Sequence, residues 1–249
     1  PYSSAVVRQL ALSSGLAAHG VLRPQALALE IGSVSAALAS ARQTGRPLRG
    51  LASTQAVLLL LTEYGRGGDA SVLAGATRQL DVLLDSGAVA PATLDEPPEI
   101  VRASLARALS FAWVLTVEPR YRDAGRDQLT ALLRSLTFTD GRTLFADRDG
   151  FAISAAITSA EGLRDTVAGR RALAALDTLL RRVYARGSGV RHTGAGALTG
   201  LLQDQVQVAD ACVAAYTATG KPRYLDVARD LAAVMERDFA DPTGGYFDV

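Results

Sequence analysis

The 249 residues carry a net charge of +1, with 49% hydrophobic and 20% charged side chains, a soluble globular profile with ample material for a core. That balance favours neither nucleic acid nor an anionic membrane surface as partner. The single cysteine, Cys212, excludes an internal disulfide and a cysteine-based zinc site. It reads as a small buried hydrophobe, and neither a metal nor a cofactor is expected.

Residues 3–18 and 24–43 are rich in Ala, Leu and Ser and read as a helical pair about His19-Gly20. Their apolar runs, 17–22 and 26–41, are too short or too interrupted to span a membrane. No signal peptide is visible, and a cytoplasmic location is favoured over a secreted one. After a linker at 46–50, residues 52–64 and 71–86 form the next pair, with Asp69 or Ser71 placed to cap the second helix. Pro91, Pro97 and Pro98 mark 90–98 as a loop. Residues 99–116 with 120–136, and 151–163 with 167–185, are the third and fourth pairs. A Gly-rich loop at 187–200 leads into the last. No run alternates apolar and polar residues in a β-branched background, so no sheet beyond a short hairpin is expected.

The last pair is the clearest. Val206, Ala209, Val213 and Tyr216 make one apolar helical stripe. Thr219-Gly220-Lys221-Pro222 breaks the helix with Gly at an end and Pro at the next start. Tyr224, Val227, Leu231 and Val234 form the second stripe. Glu118-Pro119-Arg120-Tyr121-Arg122-Asp123 answers Lys221-Pro222-Arg223-Tyr224-Leu225-Asp226, the tyrosines standing 103 residues apart (224 − 121). The unit is therefore an internal repeat, and Tyr121 and Tyr224 read as hairpin-packing residues.

Stacked hairpins build an open solenoid or close into a ring. Both members of each hairpin read as apolar on more than one side, and alternate loops hold Gly, Asp and aromatics, which favours a ring. The expectation is an all-α fold, an α/α toroid, partial or complete, of repeated antiparallel helical hairpins. It reads as one domain over 1–249, a fragment of a longer chain with 1–50 its least matched part. A missing hairpin would leave an apolar edge open to a homodimer.

Leu202-Gln203-Asp204-Gln205, Tyr224-Leu225-Asp226-Val227-Ala228 and 239–247 together resemble the C-terminal helical domain of spermatogenesis-associated-type thioredoxin-domain proteins. That domain is similar to N-acylglucosamine 2-epimerase and to six-hairpin glycosidases. Arg120 to Ala124 and Leu144 to Asp149 fit its preceding hairpin, and Arg191 fits a basic position before the Leu-x-Asp motif. The resemblance implies a toroid with a carbohydrate-type cavity. The family's His-Phe-Glu segment has no counterpart in 86–111, and the absence of Cys-x-x-Cys means that the thioredoxin domain is not in this chain.

Asp147, Asp149, Asp204 and Asp248 stand at loop–helix junctions, where a carboxylate either caps a helix or works as one of a sugar-cleaving pair. Asp204 is the leading choice, its side chain expected at the mouth of the ring. His192 belongs to the residue type best suited to carry a proton in epimerisation. Asp204, His192 and Asp147 are the candidate catalytic residues; Arg191, Asp149, Tyr246 and Phe247 are the candidate substrate contacts. The loops 140–150, 187–204 and 241–248 should converge on one face. Trp113 and Tyr216 are expected in the core. Two functions remain open: a non-catalytic or degenerate carbohydrate-binding or interaction module, and a sugar-processing enzyme, epimerase, isomerase or glycosidase in type, using Asp/His acid–base chemistry. The favoured partner is a small carbohydrate, with no nucleic acid and no membrane.

Overall fold

The computed structural model describes residues 36, 50–85, 96–138, 143–195 and 201–247. The expected first helical pair with His19, most of the 90–98 loop, Asp140 and Asp248 lie outside these residues, residue 36 excepted. The helices are α1 (Gly50–Gly67), α2 (Ala70–Asp85), α3 (Pro98–Thr116), α4 (Pro119–Ser135), α5 (Ala146–Gly162), α6 (Thr166–Val183), α7 (Leu202–Thr219) and α8 (Pro222–Asp238). Between α6 and α7, β1 (Tyr184–Ala185) pairs antiparallel with β2 (Gly189–Val190), the short hairpin that the sequence allowed. No described helix is long and apolar enough to cross a membrane.

The turns follow their residues. Asp69 accepts the Ser71 amide at 2.8 Å and opens α2. Asp165 accepts the amides of Val167 and Ala168 and opens α6. Pro119 and Pro222 begin α4 and α8, where a missing N–H costs nothing. α7 ends on Gly220 at φ 66°, its amide returned to the Tyr216 carbonyl at 2.7 Å.

Two compact units meet in sequence at Arg126 and Asp127. In the first, α1 packs against α2 and α3. Its core holds Leu59, Leu61, Leu80, Leu105 and Leu109, with Tyr121 at the edge. In the second, α5 packs against α6 and α7, and α7 against α8. Ile153, Ile157, Leu176, Leu179, Val208 and Leu231 are buried there.

The two members of a hairpin differ, contrary to the expectation that both are apolar on several sides. α1 is buried along 56–61 and α5 along 149–157, all round the helix. α6 and α8 bury one stripe each: Ala168, Ala172, Ala175, Leu176 and Leu179 in α6, and Tyr224, Ala228, Leu231 and Val234 in α8. α7 corrects a second expectation. Its sequence-read stripe is its outer face, with Val206 39%, Val213 47% and Tyr216 36% exposed. The buried stripe is Asp204, Val208, Ala211, Cys212 and Ala215. Its small residues let α5 come close, and Gly150 is where the backbones meet. A Cβ at Gly150 would stand 2.9 Å from the Gln207 carbonyl carbon. Cys212 is buried as read, and burial pushes its thiol up to about 12. Trp113 lies half-buried against the first unit's core, under the Arg122 guanidinium.

The repeated Pro-Arg-Tyr turn closes an equivalent clasp in each unit. Tyr121 donates to Asp81 on α2 at 3.1 Å, and Arg120 joins the same carboxylate at 3.2 Å. Tyr224 donates to Asp177 on α6 at 3.0 Å, and Arg223 joins it at 2.8 Å.

Candidate functional site

The site grows from the start of α5. Four amides at a helix N-terminus have no partner within the helix, and Phe145 at the N-cap has no side-chain acceptor to offer. The amides are met from elsewhere. Ala146 donates to the His192 carbonyl at 2.9 Å, and Asp147 donates to Asp204 Oδ1 at 3.0 Å. Asp149 turns back to accept the Phe145 amide at 3.0 Å. A bridge between Phe145 and Thr193 continues the join.

The loop after β2 is held by Gln205. Its amide group accepts from the Val190 N–H at 2.8 Å and donates to the Val190 carbonyl at 2.9 Å. Gly189, at φ 82°, leaves room for it, since a Cβ there would lie 2.6 Å from Gln205 Oε1. This places His192 against the first turn of α7. His192 Nδ1 lies 3.0 Å from Asp204 Oδ1 and 3.2 Å from Oδ2. The imidazole ring sits 5.5 Å from the Phe145 ring, which Arg148 covers on another side at 5.1 Å.

Asp204 is wholly buried, whereas the His192 side chain is 22% exposed. Burial raises the Asp204 carboxyl above the usual carboxylate range, and the bond to His192 works against that rise. An ionised Asp204 can only accept, so Nδ1 then carries the proton and Nε2 is left as the base. Asp147 completes the group: its Oδ1 is buried without a hydrogen-bond partner. The carboxylate and imidazole ligand atoms of Asp147, His192 and Asp204 all lie within 4.8 Å of one another.

Of the expected catalytic residues, all three therefore come together, but Asp204 does not open at a mouth. It is inside, holding an imidazole and capping a neighbouring helix. The expected substrate contacts are placed as follows. Asp149 is 3% exposed and serves the N-terminus of α5. Arg191 donates to the Arg182 carbonyl at 2.6 Å, at the last turn of α6. Tyr246 and Phe247 are exposed, but their bonds run back to the α8 hairpin: the Tyr246 hydroxyl to Glu236, and the Phe247 amide to the Phe239 carbonyl at 2.8 Å. Thus the loops before α5 and before α7 join through these contacts, while the loop after α8 is tied to its own helix. Sequence reading missed Phe145 and Gln205. A Gln directly after the leading Asp is a signal that could have pointed to the second. A cleft of about 250 Å³ lies elsewhere in this unit, between Leu133, Leu136, Phe138 and Arg171, and shares no residue with the group.

No family model and no curated protein matches the chain. Solved structures do. The unsaturated glucuronyl hydrolase of Bacillus sp. GL1 is similar at 14% identity and a TM-score of 0.71, over 87% of this chain and 70% of that one. Cellobiose 2-epimerase from Bacillus thermoamylovorans is similar at 10% identity and a TM-score of 0.64, over 79% and 62%. A sugar epimerase from a ruminal bacterium gives 16% identity and 0.63, over 79% and 61%. The chain thus spans about three-fifths of the length of these epimerases. At such identities the likeness is one of fold. It agrees with the helix order above: the chain is all-α, an α/α toroid type of repeated antiparallel helical hairpins.

Proposed function

We propose that the chain handles a carbohydrate and that His192 moves a proton on it, with Asp204 fixing the imidazole. The observation that carries this reading is the bond from His192 Nδ1 to a wholly buried carboxylate. Such a carboxylate sets the ring's orientation and tautomer and stabilises the imidazolium formed when Nε2 takes a proton. The similar structures include sugar epimerases and a hydrolase acting on sugars, which supports the substrate class. The kinship with the helical domain of thioredoxin-domain proteins, drawn from 202–205 and 239–247, belongs to the same proposal.

In the epimerisation form, neutral Nε2 removes the proton beside a sugar carbonyl. The C–H electron pair passes into an enediolate and the imidazole becomes imidazolium; return of the proton to the neighbouring carbon gives the isomer, and its return to the opposite face of the first carbon, once the enediolate has turned over, gives the epimer, either way restoring the base. Incubation with glucose, mannose or cellobiose in heavy water reads this step as deuterium at C2. Incorporation by the wild type, reduced about 10²–10⁴-fold in His192→Ala, is the expected result. One observation favours a second reading. Asp204 caps α5 through the Asp147 amide, a task that a pure binding module also needs. That module would be stabilised by a sugar, by about 2.7 kcal/mol at a hundred times its Kd, with no deuterium uptake. Absence of both effects across a sugar panel overturns both readings.

A further inference from the structure

We infer that Asp147, His192 and Asp204 form a binding site for a divalent transition metal of the zinc class, with one coordination position left open. The proposal goes beyond the sugar reading and does not need it. Three observations point the same way. First, one imidazole nitrogen and two carboxylates from three separate segments, the starts of α5 and α7 and the loop after β2, gather their ligand atoms within 4.8 Å. Second, Asp147 Oδ1 is buried and has no donor to satisfy it. Neighbouring carboxylate oxygens each find one: Asp204 Oδ1 takes the Asp147 amide and Asp149 Oδ2 the Phe145 amide. A buried carboxylate oxygen without a donor is the arrangement that a cation completes. Third, Asp204 has no exposure at all and stands beside a second carboxylate, so a positive ion would offset two like charges at once.

The donor set selects the ion. Imidazole with carboxylates suits zinc and its neighbours, whereas magnesium and calcium prefer oxygen alone. Zinc bonds of about 2.0–2.2 Å put ligand atoms about 3.3–3.6 Å apart in a tetrahedron. His192 Nδ1 and Asp204 Oδ1 are already 3.0 Å apart. Among the described residues the half-buried Asp147 side chain has no hydrogen bond that would resist the small rotation that brings it in. Phe145 and the Gln205–Val190 bonds fix the ring and the loop around it, as surrounding groups do for metal-bound histidines. Ligation through Nδ1 removes the proton that Asp204 would accept and leaves Nε2 as a donor. Metal occupancy and the base role of His192 are therefore alternatives, and the ion would switch off proton abstraction.

The test is a titration of the chelator-stripped protein with zinc chloride against a chromophoric competitor, with magnesium chloride as control. One equivalent of zinc is expected, with magnesium at least 100-fold weaker. Asp147→Asn and His192→Ala should each weaken zinc binding at least tenfold. Cobalt in place of zinc should give visible absorption that His192→Ala changes. Asp147→Asn disturbs no side-chain hydrogen bond among the described residues, so thermal melting should find it folded and its result decisive. Sub-stoichiometric uptake, magnesium binding as tightly as zinc, or wild-type affinity in either variant overturns the site. The sugar assays run in chelator are independent of all these outcomes.

Discussion

The two units carry the same Pro-Arg-Tyr turn and spend their buried polar groups differently. In both, a tyrosine and an arginine from the start of one helix clasp an aspartate on the helix two before it: Asp81 on α2 in the first unit, Asp177 on α6 in the second. Beyond the clasp the likeness ends. The first unit joins α1 to its neighbours with neutral pairs, Gln55 to Ser104 and Gln79 to Ser53, each at 2.9 Å. The second joins α5 to α7 through the ionisable Asp204, which takes the Asp147 amide and also holds His192 of the loop after β2. Neutral pairs are the cheaper way to satisfy a helix contact, since no charge has to leave water. A fold that can be held by Gln and Ser in one place does not require Asp and His in another. The clasp is thus what the architecture needs, and the ionisable group in the second unit is more than a helix contact requires.

The largest effects should come from breaking the clasp, and they should be equal in the two units. Tyr121 and Tyr224 are both buried, with 4% and 1% exposure. Tyr121→Ala and Tyr224→Ala should each cost about 3–5 kcal/mol, the range for losing a large aromatic from a core. Urea unfolding measures it. A clasp that mattered in one unit alone would show as a difference of more than about 2 kcal/mol, and the shared role assigned to the repeat would fail.

Next in size is the contact that sets the site. Gly75 in α2 and Gly150 in α5 are both helical glycines. A Cβ at Gly75 meets only the tip of Leu60 at 3.7 Å, whereas at Gly150 it meets Gln207 and Val208 backbone at 2.9–3.1 Å. Gly75→Ala should stabilise the protein by about 0.5–1 kcal/mol through helix propensity. Gly150→Ala should destabilise it by about 1–3 kcal/mol. By prising α5 from α7, it should also shift the His192 ring resonances in an NMR spectrum, which Gly75→Ala should leave in place.

The third prediction concerns pH. Asp204 has its carboxyl raised in the folded protein, chiefly by burial. A raised value means that the folded state holds the proton more tightly than the unfolded state. The associated stability is full below the unfolded carboxylate range and is lost as pH rises through the folded value. Asp204→Asn cannot ionise. Its melting temperature relative to wild type should therefore climb between pH 4 and pH 7. A difference that stays flat or falls over that range would mean that His192 and the Asp147 amide outweigh burial.

Much of the hairpin order was legible because it rests on local signals: Pro119 and Pro222 at helix starts, Gly220 at an end, Asp69 as a cap. The site was legible in residue type but not in role. Asp147, His192 and Asp204 could be picked out as chemistry-bearing residues near loops. That Asp204 faces inward depends on which stripe of α7 is buried, and the sequence offers two. Val206, Val213 and Tyr216 are larger and more apolar than Ala211, Cys212 and Ala215, so composition points to the wrong face. Close approach to α5 at Gly150 decides for the small residues, and that contact joins segments 57 residues apart (207 − 150). The bond of Arg191 to the Arg182 carbonyl was hidden for a like reason, since no side-chain pattern reports a free carbonyl.

The smallest effect sharpens the comparison most. Val117 and Gly220 hold the same place in the repeat, 103 residues apart (220 − 117), each just before the Pro-Arg-Tyr turn. Both take the left-handed conformation, Val117 at φ 56° and Gly220 at φ 66°. Both return their amide to the carbonyl four residues back, at 2.8 Å to Trp113 and 2.7 Å to Tyr216. Glycine reaches that conformation without cost, whereas a β-branched residue is strained there by about 1–2 kcal/mol. Val117 is 66% exposed, so its side chain contributes little packing that could offset the strain. Val117→Gly should then stabilise the first unit by about 0.5–1 kcal/mol, the strain released less the extra freedom that glycine gives the unfolded chain. Gly220→Val should destabilise the second by about 1–2 kcal/mol. Opposite signs at equivalent positions are what a shared turn demands. If Val117→Gly destabilises instead, the Val117 turn is held by something other than the geometry it shares with Gly220, and the two copies are not one device used twice.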